Sequence, residues 1–293
     1  MGDWDVGLST GCFYKEKILV HLEEILRSGF SRIEVCSYRD HLNYHDTAEV
    51  EEVASRLRDL QMEAYSFHAP FADSIDISHP DEEKRSRSLR EMMQAAEAAA
   101  RLQARFFVVH PGPEAEIHGT AEEHYQRRRL ATDALKGISQ RCTELGIGFV
   151  LENKLSHLLF GSASDLLWFA GALDAGNLGL CLDIGHAHLS GDLHGMIRRF
   201  SGLMRMVHAH DNHGERDDHL PLGKGTIDWR HTLTLLSEIG FEGTIVLEFE
   251  SNGSPESLLE GARRSRQLIR DLLRQLGTPR RPGNGLRGSQ DST

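Results

Sequence analysis

Short apolar or β-branched runs alternate along this chain with longer segments whose apolar residues recur every three or four positions. The short runs predict strands at about 6–9, 32–36, 63–67, 106–110, 148–152, 179–183, 204–210 and 244–248. The longer segments predict helices at about 15–27, 47–60, 82–102, 121–144, 164–172, 193–200, 229–238 and 255–276. Gly29, Gly146 and Gly240 stand where a left-handed residue would close a helix before the next strand. Eight βα units in strict alternation imply a parallel sheet, and eight is the number that closes it into a single (β/α)8 barrel of the α/β class. The barrel is expected over residues 1–277, followed by a Pro-, Gly- and polar-rich tail at 278–293 that reads as disordered.

The polar residues that interrupt this pattern are not scattered. Strand after strand ends abruptly in a metal-ligand type: SFHAP in His68, FFVVHPG in His110, GFVLEN in Glu152 and TIVLEFE in Glu248. LCLDIGHAHL adds Asp183 and His186, and MVHAHDN adds His208 and His210. In a barrel all C-terminal strand ends open on one face, so these residues converge although they are far apart in sequence. A lone buried His is an ordinary core residue, but the coincidence on six of eight strands predicts a metal-binding pocket at that rim. The loop after the seventh strand, ERDDHLPLGKG, supplies Asp217 and His219 two residues apart, then a Gly-x-Gly turn.

Composition narrows the setting. At 293 residues and 39% hydrophobic, the chain can bury a large core. A net charge of −11 argues against a nucleic-acid partner, although several of the carboxylates are candidate ligands. Cys12, Cys36, Cys142 and Cys181 form no CxxC pair and sit in apolar runs, as reduced core thiols do. The sequence has neither a signal-peptide pattern at its start nor a window approaching the ~20 apolar residues of a membrane span, so a soluble, cytoplasmic protein is expected.

With these motifs in view, the chain resembles the xylose-isomerase-like barrel superfamily over about residues 5–275. The stretches that carry the likeness are HAPF…HP, VVHPG, LEN, CLDIGHAH, VHAHDN…DDHLPLGKGTIDW and GTIVLEFE. The superfamily includes sugar isomerases and epimerases, inosose dehydratases and apurinic-site nucleases of the endonuclease IV type. In the sugar branch the resemblance implies one Mn²⁺, Zn²⁺, Mg²⁺ or Co²⁺ held by Glu152, Asp183, His208 and Glu248. Glu152, Glu248 and His186 would be the catalytic groups. Glu34, Phe71, His210 and Lys154 would bind a small sugar, sugar phosphate or polyol, and assembly into a homo-oligomer would suit that branch. In the nuclease branch it implies three zinc ions, with His68, His110, His186, Asp217 and His219 joining the same four ligands. The two sets are nested. Glu34, in an "IE" start on the second strand, favours the sugar branch, and no basic run with interleaved aromatics favours DNA. The epimerases' substrate-binding Arg corresponds here to Gly214, a departure from that pattern. A metal-dependent isomerase, epimerase or dehydratase is therefore the leading expectation. The nuclease is the alternative, and a ligand-binding barrel without turnover the third reading.

Overall fold

A computed structural model describes residues 4–277, so the expected tail at 278–293 lies outside the described residues. Eight parallel strands close on themselves in sequence order: β1 Val6–Ser9, β2 Arg32–Cys36, β3 Glu63–His68, β4 Phe106–Val109, β5 Gly148–Glu152, β6 Leu178–Asp183, β7 Met204–Ala209 and β8 Thr244–Leu247. Around them run α1 Leu22–Arg27, α2 Thr47–Asp59, α3 Glu82–Arg101, α4 Ala121–Leu145, α5 Ala163–Leu173, α6 Ile184–Leu189, α7 Leu193–Arg199, α8 Trp229–Glu238 and α9 Pro255–Gly277. The (β/α)8 barrel is thus as the alternation predicts. No helix among the described residues is long and apolar enough to cross a membrane.

Strand periodicity explains where the chemistry sits. Val108, Val150, Cys181, Met206 and Val246, with Tyr65, form a buried cluster of their own that fills the barrel interior. The residues between them and the rim (Val109, Leu151, Leu182, Val207 and Leu247) belong instead to the larger core under the helices. Side chains alternate across a strand, so the next inward position on each is two residues further on. Those positions are His110, Glu152, Asp183, His208 and Glu248. One apolar layer is therefore the floor on which one polar layer rests.

Two features depart from the sequence pattern. The helix expected at 15–27 is reduced to a 3₁₀ turn at Ile18–Val20 and a short α-helix at Leu22–Arg27, with a separate 3₁₀ turn before it at Thr10–Phe13. The Ile18 amide donates to the His41 carbonyl at 3.0 Å, so a tertiary contact takes the donor that a continuous helix would use. The short helix α6 was not expected. It starts because the Asp183 carboxylate, at the end of β6, accepts from the His186 amide at 2.6 Å and caps the first turn. Gly29, Gly146 and Gly240 have positive φ, as their place after a helix requires. Cys12, Cys36, Cys142 and Cys181 are all buried and unpaired.

Candidate metal centre

The polar layer and the β7–α8 loop bring the donors into three contiguous groups: His68–His110–Glu152, Glu152–Asp183–His208–Glu248, and His186–His210–Asp217–His219. Within each group one ligand atom per residue lies within 4.8 Å of the others. Glu152 belongs to the first two groups, and Asp183 joins the second to the third through His210 Nε2, 3.2 Å from its Oδ2. Asp217 and His219 reach the rim because Asp211 gathers their loop. Its carboxylate accepts from the Trp229 indole at 2.9 Å and from the amides of Gly223 and Ile227 at 2.8 and 3.2 Å. Trp229 accordingly packs in the core.

Hydrogen-bond bookkeeping shows what these groups are built to hold. His68 Nδ1 lies 2.9 Å from the Ala69 carbonyl, His110 Nδ1 2.7 Å from Glu114 and His186 Nδ1 3.0 Å from the Asn153 carbonyl. An oxygen of this kind only accepts, so each Nδ1 carries the proton and each Nε2 is left with its lone pair. Yet His68 Nε2 faces Glu152 at 3.2 Å, His110 Nε2 faces Glu152 at 3.3 Å, and His186 Nε2 faces Asp217 at 3.1 Å. His208 meets a carboxylate at both nitrogens, Glu152 at 2.7 Å and Glu34 at 2.9 Å. Acceptor facing acceptor is unfavourable unless a positive charge lies between them. An extra imidazole proton or a metal ion supplies it. Among the described residues, three atoms of these groups, His110 Nε2, His210 Nδ1 and Asp217 Oδ1, are buried with no hydrogen-bond partner. The residues therefore fit divalent ions bound through nitrogen and oxygen.

The titration behaviour follows from the same arrangement. Burial pushes His68 and His219 down, but Glu152 beside the first and Asp217 beside the second outweigh it, raising each to about 9. His186 and His208 are likewise held well above the ordinary value against burial, by Asp183 and Asp217 for the one and by Glu152 and Glu34 for the other. Burial alone would raise the Glu152 carboxyl, yet His208, His110 and His68 hold it well below the usual range. Protons occupy the places a cation would take. Cys181 lies within reach of Glu152 and His208, but burial pushes its thiol up, and the thiolate is the metal-binding form.

Of the four residues expected at the substrate, three are buried in other places. Glu34 is fully buried and spends both oxygens on Ser9, Ser66 and His208, so it fixes His208 from behind and cannot touch a substrate. Lys154 is also buried, donating to the Gly112 and Pro113 carbonyls. His210 is fully buried in the third group, its ring stacked 3.7 Å from that of His219. Gly185 makes room for it, since a Cβ there would fall 1.9 Å from the His210 ring. Phe71 alone stands at the mouth, half-buried, its ring 4.8 Å from His68 and 5.3 Å from His110. The supporting groups Glu114, Asp211, Asn153, Ser9 and Ser66 went unnoticed in the sequence. Glu114, Asp211 and Asn153 lie outside the strands, where no periodicity marks them, and Ser9 and Ser66, though on β1 and β3, are small polar residues with no distinctive chemistry of their own.

Residues 22–272 match the model of the xylose isomerase-like TIM barrel. The chain belongs to that family. Uncharacterized protein MJ1311 of Methanocaldococcus jannaschii is 28% identical over 277 residues, covering 92% of this chain and 90% of that protein. Among solved structures, a D-tagatose 3-epimerase-like protein aligns with a TM-score of 0.79 at 26% identity, covering 93% of this chain and 98% of the other. The IOLI protein, solved with a bound zinc atom, aligns with a TM-score of 0.77 at 17% identity over 90% of this chain and 97% of its own, a likeness of fold. Within this xylose isomerase-like barrel the donor set occupies the face where such barrels carry their active sites.

Proposed function

We propose that this barrel is a divalent-metal-dependent enzyme that moves a proton next to the carbonyl of a small sugar or polyol, giving isomerisation, epimerisation or loss of water. The observation that carries the reading is the second donor group, in which two carboxylates of unequal access flank His208 and Asp183. The Glu152 side chain is 2% exposed and enclosed by three histidines, whereas the Glu248 side chain is 18% exposed and lies 3.4 Å from His208 Nδ1. The likeness to the D-tagatose 3-epimerase-like protein supports the same chemistry. A bound divalent ion supplies Lewis-acid polarisation of the carbonyl, which acidifies the neighbouring C–H. Glu248, the accessible carboxylate, takes and returns the proton on one side of the substrate, and Glu152 serves the opposite side. His186, held by Asn153 and Asp217, orients a substrate oxygen, and Phe71 walls the entrance. Mn²⁺, Co²⁺, Mg²⁺ and Zn²⁺ all suit this donor set.

A second reading has its own observation. His110 Nε2, His210 Nδ1 and Asp217 Oδ1, the unpartnered atoms among the described donors, fall in the first and third groups, which a one-ion sugar enzyme leaves idle. Three ions there would suit phosphodiester hydrolysis, with water activated and the leaving oxygen stabilised by metal. One experiment separates the readings. Protein purified without chelator is assayed for metal content, then incubated in deuterium oxide with a panel of ketoses and polyols and followed by proton NMR. Deuterium entering the carbon next to the carbonyl supports the proposal. No exchange, three zinc ions per chain and cleavage of an abasic duplex would replace it with the hydrolase. Ligand-induced stabilisation without either product would leave a binding protein.

A further inference from the structure

The first donor group stands on a support that neither reading of the chemistry requires. His110 directly follows β4, and its Nδ1 lies 2.7 Å from Glu114 Oε1, four residues on in the same loop. The same Glu114 oxygen is 3.4 Å from Lys154 Nζ. Lys154 is 1% exposed, and its ammonium also donates to the carbonyls of Gly112, at 3.1 Å, and Pro113. Two residues before it, at the end of β5, is Glu152. Strands β4 and β5 pair directly, Val109 opposite Leu151, so one strand end provides both the carboxylate that His110 faces and the lysine that pins the loop holding His110's partner. Gly112 lets that loop lie against the 155–161 turn, because a Cβ there would sit 2.7 Å from the Leu159 carbonyl.

Resting on the reading of His68, His110 and Glu152 as metal donors, we propose that Glu114, held by Lys154, is a positioning residue that commits His110 to binding through Nε2. A carboxylate only accepts, so its contact requires the proton on His110 Nδ1 and leaves the Nε2 lone pair pointing at Glu152 Oε2, 3.3 Å away. Nε2 is buried and unpartnered among the described residues, as a donor atom awaiting a cation would be. The negative charge behind the ring also makes the imidazole a stronger ligand. Lys154 keeps the Glu114 carboxylate from turning to solvent. A mere loop clasp would need neither the His110 contact nor an empty Nε2.

The test uses the full chain with Glu114→Ala and Glu114→Gln. Titration with Co²⁺ and Zn²⁺ against a competing chelator should show one class of site weakened about 10- to 100-fold in Glu114→Ala, with the remaining sites unchanged. Glu114→Gln, which keeps an accepting oxygen without the charge, should recover part of that loss. Nitrogen-15 correlation spectra of the metal-free protein should show His110 protonated on Nδ1 in the wild type and a mixture of tautomers in Glu114→Ala. A thermal melt of each variant separates this effect from loss of folding. Unchanged affinity at every site in Glu114→Ala, or a wild-type His110 protonated on Nε2, overturns the relay itself. Metal content unaltered by His110→Ala overturns the inference by a different route, through the reading of the first group.

Discussion

His41 gives the most quantitative prediction, because its environment favours one protonation state of the folded chain. It is fully buried beneath the rim, Nδ1 2.7 Å from the Glu16 carbonyl and Nε2 2.9 Å from the Thr10 hydroxyl. Nδ1 must donate, and the Thr10 hydroxyl completes the neutral ring's bonding. Burial disfavours the charged form and lowers the pKa from 6.5 to about 4, the Glu16 contact opposing it only in part. The sign is that of a folded-state pKa below the unfolded one. The unfolded chain binds the extra proton between about pH 4 and 6.5, so the contribution is complete above that window and lost as pH falls through it. With those two values the loss from pH 7.5 to pH 5 is about 2 kcal/mol. Other groups titrate over the same range, so the assay is a difference: urea unfolding of wild type and His41→Gln at both pH values. Glutamine reproduces a donor and an acceptor but cannot be protonated. It should be less stable than wild type at pH 7.5, with the gap closing by about 2 kcal/mol at pH 5. A gap that is the same at both pH values would refute the assignment of a neutral, proton-resisting His41.

Three further outcomes follow from the donor groups. Because His68 and His219 are raised to about 9 in the metal-free site, ions must displace protons, so apparent metal affinity should fall steadily from pH 9 to pH 6; calorimetry in buffers of different ionisation enthalpy would show the released protons, and a flat profile would contradict it. Glu248→Gln should abolish turnover while keeping most of the bound metal, whereas Glu152→Gln, which breaks contacts to three histidines, should lose metal from two groups; elemental analysis beside a rate assay distinguishes them, and equal metal loss would count against the division of roles. Gly185→Ala places a methyl group 1.9 Å from the His210 ring and should destabilise the fold by about 1–3 kcal/mol while loosening the third group, read by thermal melting with and without Zn²⁺.

What the sequence determined by itself is what strand and helix periodicity encode locally. Eight short apolar or β-branched runs, each followed by an amphipathic segment, leave few architectures besides the closed parallel barrel. The abrupt change from Val, Cys or Met to His, Glu or Asp two positions further on, repeated from β4 to β8, already marks one face as polar. The candidate donors of the first two groups were therefore legible before any contact was known, and Asp217 and His219 stood out as a pair in the loop, whereas His210 was expected at the substrate. Tertiary structure alone decided their grouping and their support. His210 lies two residues after His208, just past β7, and sits with His219 only because the Asp211 loop folds back over the barrel. Glu34 and Lys154 look like pocket residues in the sequence, yet both are buried: Glu34 because an inward strand position below the rim is closed to solvent, Lys154, just past β5, because the 112–114 loop lies over it. Which imidazole nitrogen faces the centre depends on the partner at the other nitrogen. For His110 and His208 those partners, Glu114 and Glu34, come from a neighbouring loop and a distant strand, and no periodicity in the chain records such contacts.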